Sequence, residues 1–306
     1  MCRKRSNLGI TFRRTSQTMF YFTLLLAMQS LQTVMAQQNI KKSLTEKQQS
    51  ILQRFLSEFV EITPGKGKFP REFQMGRENG PRNEKPAHSV IMSRDFAMAK
   101  YEVTQELYEF VDEKNPSRWK GSRNAAESMS FQEAVRFCQK LTQILHSQNL
   151  IKSEFEIRLP NEAEWEYCCR AGSKTLYSFG DLGRTSDDKR NKATILARYA
   201  WHTGNAAGND PAVGVLKPNN WGLYDMHGYL WEFVSDSWHQ DYRKAPHHSD
   251  SWDPNKKHVP RVLRGGSWRD RYDLLTSSTR QAIPDHAKSD AIGIRCVKSR
   301  RIRKKQ

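Results

Sequence analysis

The sequence predicts a single irregular α+β domain, and three observations support this fold class. Few segments carry a capped amphipathic helix pattern, and the strand-like segments are short. Beyond residue 172, Gly, Asn, Asp and Pro recur so often that little regular secondary structure is expected. The 306 residues contain no internal repeat and no second linker, so we assign one domain to residues 55–298.

The N-terminus has the order of a secretory signal, with basic residues, an apolar stretch and then small residues. Five basic residues lie within residues 3–14, Met19–Met28 is apolar, and cleavage is expected after Ala36. Residues 1–36 are therefore predicted to be a signal peptide that exports the protein to a periplasm, a secretory lumen or the medium. An uncleaved anchor is the alternative, although polar residues interrupt the apolar stretch, which is short for a bilayer. Met19 is an alternative start.

The positive charge is concentrated at the two ends of the chain. The whole sequence carries +17, which falls to +12 when the five basic residues of the signal are removed. Six further basic residues lie in residues 298–306, and we assign residues 299–306 as a basic tail. Such a tail contacts nucleic acid or an anionic surface, or is simply solvated. No nucleic-acid motif accompanies it, so specific nucleic-acid binding is not expected. The mean hydropathy of −0.80 excludes a membrane-embedded body, and no membrane span is expected in the mature chain.

Residues 37–54 are predicted to form a linker followed by an N-terminal helix. Ser43 and Glu46 have the spacing of a capping box, and apolar residues then recur at helical spacing. The pattern predicts an amphipathic helix. Its apolar residues are Ile51, Leu52, Phe55, Leu56, Phe59 and Val60.

Short strands and loops are predicted in the next part of the chain. Gly, Pro and charged residues dominate Thr63–Pro86, around a short strand at Phe73–Met75. Two more strands are predicted, at Ser89–Met92 and within Phe96–Val103. Thr104 is then expected to cap a short helix.

Two further helices are predicted to begin at capping boxes. Ser130 and Glu133 form one box, ahead of an apolar stripe at helical spacing. Asn161 and Glu164 form the other, and Gly172 lies near the expected helix end.

The segment Asn220–Phe233 contains two hard oxygen ligands, Asp225 and Glu232, with Gly228 between them. Glycine permits the tight turn that a cation-binding loop requires, so a calcium loop is one interpretation. A glycine-containing turn that enters a buried strand is the other. The spacing alone favours the ordinary turn.

Four cysteines remain after signal cleavage, and they allow three disulfide connectivities in an oxidising compartment. Neighbouring Cys168 and Cys169 are not expected to bond each other. A bond between Cys138 and Cys296 would close most of the domain, although the sequence pattern does not determine the pairing.

Four segments, each modest alone, stand in an informative order over nearly the whole mature chain. Together they resemble the formylglycine-generating enzyme, or sulfatase-modifying factor, family. The resemblance implies an irregular fold related to C-type lectin-like domains. The segments are Lys100–Gln105, Arg158–Tyr167, Gly222–Glu232, and Arg264–Trp268 together with Gly293–Cys296.

The resemblance also implies an activity that this sequence is not equipped to perform. Founding members oxidise a sulfatase cysteine to formylglycine with oxygen and a copper ion held by two cysteines shortly after the Gly-Gly-Ser motif. Here no cysteine occurs between Cys169 and Cys296, and Asp270 falls where the first copper ligand would be. Thiolate sulfur is the soft ligand that holds Cu(I), so copper and the founding oxidase activity are not expected. Asp270 is predicted to form a salt bridge with Arg269 or Arg271, and a role as a base or as a cation ligand is the alternative.

The family's calcium site corresponds better to this sequence. The resemblance implies that calcium binds the side chain of Asp225, the main-chain carbonyls of Gly228 and Leu230, and the carboxylate of Glu232. It also favours a disulfide between the cysteines at positions 138 and 296, and it leaves Cys169 free.

We therefore expect an exported, calcium-stabilised domain that binds a sulfatase-like peptide, a glycan or another exported protein in the family's cleft. Sulfatase maturation, or another oxidation at a nonclassical centre, is the alternative. A related branch that holds iron with three histidines is disfavoured, because no two histidines stand three or four residues apart. The cleft candidates are Ser267, Asp270, Arg271, Arg280 and Trp231, although a tryptophan such as Trp231 is more often a core residue than a ligand platform.

Overall fold

The structure, a computed structural model, describes residues 44–207 and 211–301. The predicted signal peptide lies outside the described residues. Among those described, no helix combines the length and apolar character that crossing a bilayer requires. The helices are α1 (Glu46–Ser57), α2 (Gln105–Asp112), α3 (Phe131–Ser147) and α4 (Glu162–Arg170). The strands are β1 (Phe59–Ile62), β2 (Glu72–Met75), β3 (His88–Ile91), β4 (Phe96–Ala99), β5 (Phe155–Arg158), β6 (Trp231–Ser237), β7 (Arg261–Arg264), β8 (Arg280–Ile283), β9 (Ile292–Gly293) and β10 (Val297–Arg300).

These elements confirm the predicted irregular α+β domain. One sheet has the order β1-β4-β10-β5 and is antiparallel throughout. The second has the order β8-β7-β6-β9, in which β6 and β9 run parallel and the other pairs run antiparallel. Strands β2 and β3 form a separate hairpin. Long ordered loops join these short elements.

The two predicted internal capping boxes are both present. Ser130 accepts a bond from the backbone N–H of Glu133, whose side chain accepts from the Ser130 backbone N–H in return. Asn161 and Glu164 cap α4 in the same reciprocal way. These signals depend only on residues three apart, so they could be recognised from sequence.

The N-terminal helix differs from its prediction at both ends. Its capping box is formed by Thr45 and Gln48, while Ser43 of the predicted box lies outside the described residues. The helix ends at Ser57, so the prediction that Phe59 and Val60 lie on its apolar face is wrong. These two residues instead begin β1, because pairing with β4 satisfies their backbone groups and suits aromatic and β-branched side chains.

The last strand continues two residues beyond the predicted domain end at residue 298. Ser299 pairs with Phe96 on one side and with Glu156 on the other. The first residues that we assigned to a basic tail therefore belong to a central strand.

Helix α4 is the centre of the domain, and all nine of its residues are buried. Two of its three acidic side chains pair with arginines of the second sheet. Glu166 pairs with Arg264, and Glu162 pairs with both Arg264 and Arg280. Removing one partner of such a pair would leave a buried charge uncompensated, which is strongly destabilising.

The register of β6 and β7 sets the position of the loop that follows β7. Glu232 lies opposite Arg264, so the end of β7 is next to the start of β6. The chain that leaves β7 therefore passes over Trp231. This arrangement brings together two of the four motif segments.

Candidate functional site

Two glycines turn the chain immediately after β7. Gly265 has φ +102° and Gly266 has φ +77°, conformations that side chains rarely adopt. A Cβ on Gly266 would also lie 2.8 Å from Leu275 Cγ. The resulting turn directs Ser267 and the residues after it back over β6.

The carboxylate of Asp270 is fixed at this turn by three donors. Its Oδ2 accepts from the Trp231 indole Nε1 at 2.8 Å, from the Ser267 backbone N–H at 2.9 Å and from Ser267 Oγ at 2.5 Å. No donor in the described part of the chain bonds to Oδ1. Asp270 is half-buried, so one oxygen is structural and the other is available to a ligand.

The favoured prediction for Asp270, a salt bridge to a neighbouring arginine, is wrong. Arg269 pairs with Asp290, with an Nη2–Oδ1 distance of 2.5 Å. Arg271 pairs with Asp273 and is exposed. The turn directs both arginines away from Asp270, which takes uncharged donors instead.

An aromatic cavity of about 250 Å³ adjoins this loop through Trp268. Trp268 Nε1 donates to the Asp290 carbonyl at 3.2 Å, and its backbone N–H donates to the Tyr229 carbonyl at 2.9 Å. A cavity of this size accommodates a small head group. The cavity is lined by Gln105, Trp119, Ala125, Glu127, Trp201, Ala206, Ala207, Pro211, Tyr229, Leu230, Trp268 and Asp290.

The chain matches a known domain family over almost the whole of its described part. Residues 52–300 match the sulfatase-modifying factor enzyme 1-like domain. The chain belongs to this family. The resemblance inferred from the four motif segments is thereby confirmed.

Individual relatives support the fold of this sulfatase-modifying factor domain more than any one activity. A formylglycine-generating enzyme of Bos taurus is 33% identical over 152 residues, which cover 46% of this chain and 38% of the relative. Serine/threonine-protein kinase pkn1 of Chlamydia pneumoniae is 26% identical over 276 residues, which cover 83% of this chain and 40% of the relative. The matches thus span about two fifths of these relatives. The structure of PvdO from Pseudomonas aeruginosa superposes with a TM-score of 0.65 at 24% identity, covering 78% of this chain and 93% of that one.

Three of the five predicted cleft residues of this sulfatase-modifying factor domain lie together. Trp231, Ser267 and Asp270 form the hydrogen-bonded group described above. Arg271 follows them on the surface. Arg280 is engaged elsewhere, because its guanidinium bonds both carboxylate oxygens of Glu162, at 2.7 and 2.8 Å.

The residues at the turn do not fit the copper centre of the founding family members. The four cysteines of the described chain are all buried, and none lies in residues 265–280. Cys169 bonds the Met226 carbonyl, and burial raises the pKa of its thiol to about 12. A thiol in this state does not supply the thiolate that Cu(I) requires.

The predicted calcium ligands lie on the loop that leads into the start of β6, and this loop has a strained backbone. Asp225 has φ +59° and Tyr229 has φ +101°, while a Cβ on Gly228 would lie 2.5 Å from the Trp201 carbonyl. Asp225 Oδ2 accepts from the Gly214 backbone N–H at 2.7 Å, and its Oδ1 is buried without a partner among the described residues. One predicted ligand therefore has a vacant acceptor.

Several buried carboxylates surround this loop, and they differ in whether their oxygens already accept hydrogen bonds. Burial and the neighbouring Asp225 raise the pKa of Glu102, whose two carboxylate oxygens have no hydrogen-bond partner among the described residues. Burial also raises the pKa of Asp225 to about 6. Glu232, however, already accepts from Arg295 at 2.8 Å and from Trp165 Nε1 at 2.7 Å. Asp225 Oδ1 and the two oxygens of Glu102 are thus buried acceptors without a donor among the described residues, and calcium binding stays a prediction.

No three His, Cys, Asp or Glu side chains in the described chain are placed to hold a metal by themselves. The predicted calcium set has two carboxylates and two main-chain carbonyls, so this finding does not test it.

The predicted disulfide partners are neighbours in the structure. Cys138 on α3 and Cys296 ahead of β10 are both free, buried thiols. A hydrogen bond with Cys138, together with burial, raises the pKa of Cys296. The structure therefore brings the pair together as thiols, and the disulfide stays a prediction.

No sequence pattern predicted the aromatic cavity. Trp119, Trp201 and Trp268 come from three loops that are far apart in the chain, so no periodic pattern links them. One signal was present: Trp119 stands in a polar loop and is 46% exposed, which is unusual for so large an apolar side chain.

Proposed function

We propose that this sulfatase-modifying factor domain is an exported, calcium-stabilised binding domain that does not perform copper-cysteine oxidation. Its ligand, a peptide, a glycan or another exported protein, contacts the turn Ser267–Asp270 and the adjoining aromatic cavity. The observation that carries this proposal is the state of Asp270. A carboxylate with one oxygen fixed by three donors occupies the position that the family uses for a copper thiol.

The chemistry of this carboxylate favours recognition over oxidation. Asp270 offers a fixed hydrogen-bond acceptor, and a group that is already oriented loses little entropy when it binds a ligand. It supplies no electrons and no soft ligand for Cu(I). The nearby aromatic rings supply apolar contact area, and the combination of few polar groups with an apolar wall is typical of binding sites.

Calcium belongs to the scaffold in this proposal. The loop that carries Asp225 and Gly228 leads directly into Trp231, the residue that holds Asp270. A cation at the vacant oxygen of Asp225 would fix this loop and, through it, the binding turn. Export is supported by the signal-like order of residues 1–36, which lie outside the described residues.

The binding proposal is tested by probing peptide and glycan arrays with the chain from residue 37 to 306. We expect the Asp270→Asn variant to lose about ten-fold or more in affinity, because it keeps the side-chain shape but removes the charge. The matched control is Asp273→Asn, which removes an exposed carboxylate three residues away. If no ligand binds, or if Asp270→Asn binds as tightly as the control, the proposal is wrong.

Sulfatase maturation is the second candidate function, and the formylglycine-generating enzyme of Bos taurus is the observation that favours it. It is tested by incubating the same chain with a Cys-X-Pro-X-Arg peptide, copper and oxygen. Mass spectrometry then follows the peptide cysteine. We expect no conversion to formylglycine, and accumulation of that product would replace the binding proposal with an enzymatic one.

A further inference from the structure

We propose that the aromatic cavity takes an organic cation, an alkylammonium head group with a hydrogen-bond acceptor beside it. This inference rests on the proposed binding function and names the ligand class for its cavity. Four aromatic residues line the space, and Glu127 lines it with them. The faces of aromatic rings carry negative potential, so a cation held among them is attracted more strongly when water is excluded.

Glu127 supplies the charge that makes the cavity selective. The residue is buried, and its Oε1 accepts from the backbone N–H groups of Arg118 and Trp119. Its Oε2 is buried and has no hydrogen-bond partner within the described residues. No salt bridge to Glu127 is formed by any described residue. A buried carboxylate without a counter-charge is costly, so a cationic ligand would gain by supplying one.

The charges at the rim are already paired, which distinguishes them from Glu127. Asp290 lies between Arg118 and Arg269, with N–O distances of 3.3 and 2.5 Å. Arg269 also stacks over Trp268, at 4.7 Å from the ring centroid. The rim therefore carries two guanidinium groups and one carboxylate, whereas the carboxylate of Glu127 is buried without a salt-bridge partner among the described residues.

The walls of the cavity are held in place without a ligand. Gln105 donates from Nε2 to the carbonyls of Trp119 and Ala125, at 2.7 and 3.1 Å. The Tyr229 hydroxyl donates to the Pro211 carbonyl at 2.7 Å. Because these polar groups bond within the wall, the surface that the cavity offers to a ligand is mainly that of the aromatic rings. A preformed cavity reduces the ordering cost of binding.

An unpaired hydrogen-bond donor at the cavity indicates that the ligand carries an acceptor beside its cationic group. Trp201 Nε1 is buried without a partner among the described residues. A hydroxyl or carbonyl oxygen on the ligand would accept from it. The cavity thus combines a vacant acceptor, a vacant donor and aromatic walls.

The test compares choline with 3,3-dimethylbutan-1-ol, which has the same shape but a carbon in place of the charged nitrogen. Binding to the purified protein is measured by isothermal titration calorimetry and by tryptophan fluorescence. We expect choline to bind about ten-fold or more tightly than the neutral alcohol. We expect Glu127→Gln to remove most of that difference and Trp119→Leu to weaken choline several-fold.

The matched control is Glu109→Gln, which removes a carboxylate from the exposed face of α2. Nα-acetyl-lysine methylamide separates two sources of the same chemistry. If this lysine derivative binds more tightly than choline, the ligand of the cavity is a lysine side chain. If it binds more weakly, the ligand is a free quaternary amine. Equal binding of choline and its neutral analogue, or wild-type binding by Glu127→Gln, overturns the inference.

The outcome is independent of the test of Asp270. If choline fails to bind while an array ligand is lost in Asp270→Asn, the cavity inference is wrong and the proposed function stands. If choline binds with the expected selectivity while no array ligand depends on Asp270, the turn is not the binding site and the cavity inference stands.

Discussion

Trp231 Nε1 donates a 2.8 Å hydrogen bond to Asp270 Oδ2, and this bond joins the start of one strand to the turn beyond its neighbour. The indole is 6% exposed, so it is both a core residue and the support of a surface carboxylate. The two predicted roles of Trp231, as a core residue and as a residue of the cleft, are thus compatible. Its ring packs inside, while its N–H fixes the residue that faces the ligand.

We predict that Trp231→Phe lowers the free energy of unfolding by about 2 kcal/mol, because it removes a donor to a charged acceptor while preserving an aromatic ring. Urea denaturation measures the change. Trp119→Phe serves as control, since Trp119 is 46% exposed and its substitution should cost less than about 0.5 kcal/mol. Equal stability of the two variants would contradict the assigned role of the bond.

We predict that calcium raises the melting temperature and that EDTA lowers it, by roughly 5–10 °C at saturation. The reason is that the cation would bind the folded loop and not the unfolded chain. Asp225→Asn should abolish the response, whereas Asp95→Asn, at an exposed carboxylate, should retain it. Differential scanning fluorimetry provides the measurement, and a melting temperature indifferent to EDTA would rule out this calcium site.

We predict that Asp236 makes the protein less stable as the pH rises from about 4 to about 7. Burial, and then the nearby Glu162, raise the pKa of Asp236 to about 7 from 3.8. The folded state therefore binds more protons than the unfolded state between these values, so its advantage is present at low pH and is lost towards pH 7.

The contribution of Asp236 is isolated by comparing Asp236→Asn with wild type in urea denaturation at several pH values. The difference in unfolding free energy should change by on the order of 1 kcal/mol per pH unit in this window, with the variant gaining relative to wild type. Asp95→Asn should show no such trend. Parallel pH profiles for Asp236→Asn and wild type would refute the assignment.

We predict that Cys138 and Cys296 form a disulfide in an oxidising compartment, to which the proposed export would deliver the protein. Peptide mapping without reduction should recover the two cysteines in one linked peptide. Reduction should then lower the unfolding free energy by about 3–5 kcal/mol, because the bond closes a long loop. Cys169→Ser should leave the linked peptide unchanged, and recovery of both cysteines as alkylated thiols would show that the pair stays reduced.

The parts of the fold that could be predicted are those set by neighbouring residues. The capping boxes at Ser130 and Asn161 need only a partner three positions on, and both were found at their predicted places. Strand β1 was missed because Phe59 and Val60 continue a helical stripe in the sequence. Only the distant β4 makes them a strand, and no local pattern records that pairing.

The residues of the candidate site could be predicted from the sequence, but their hydrogen-bond partners could not. The motif comparison identified Trp231, Ser267 and Asp270, which the structure brings together. It did not indicate that Asp270 would bond the tryptophan rather than Arg269 or Arg271, because the direction of each side chain depends on the glycine turn. The cavity required three loops to meet, which no sequence spacing encodes.

Strand β10 lies between β4 and β5, so the first sheet cannot be completed until residues 297–300 have been synthesised. Until then β4 and β5 lack their shared neighbour, and β1, near residue 60, can pair with β4 alone. Such long-range closure is slow and comes late, after nearly the whole domain has left the ribosome. Under the export proposed above, the first sheet would still be open while the chain passes through a translocation channel.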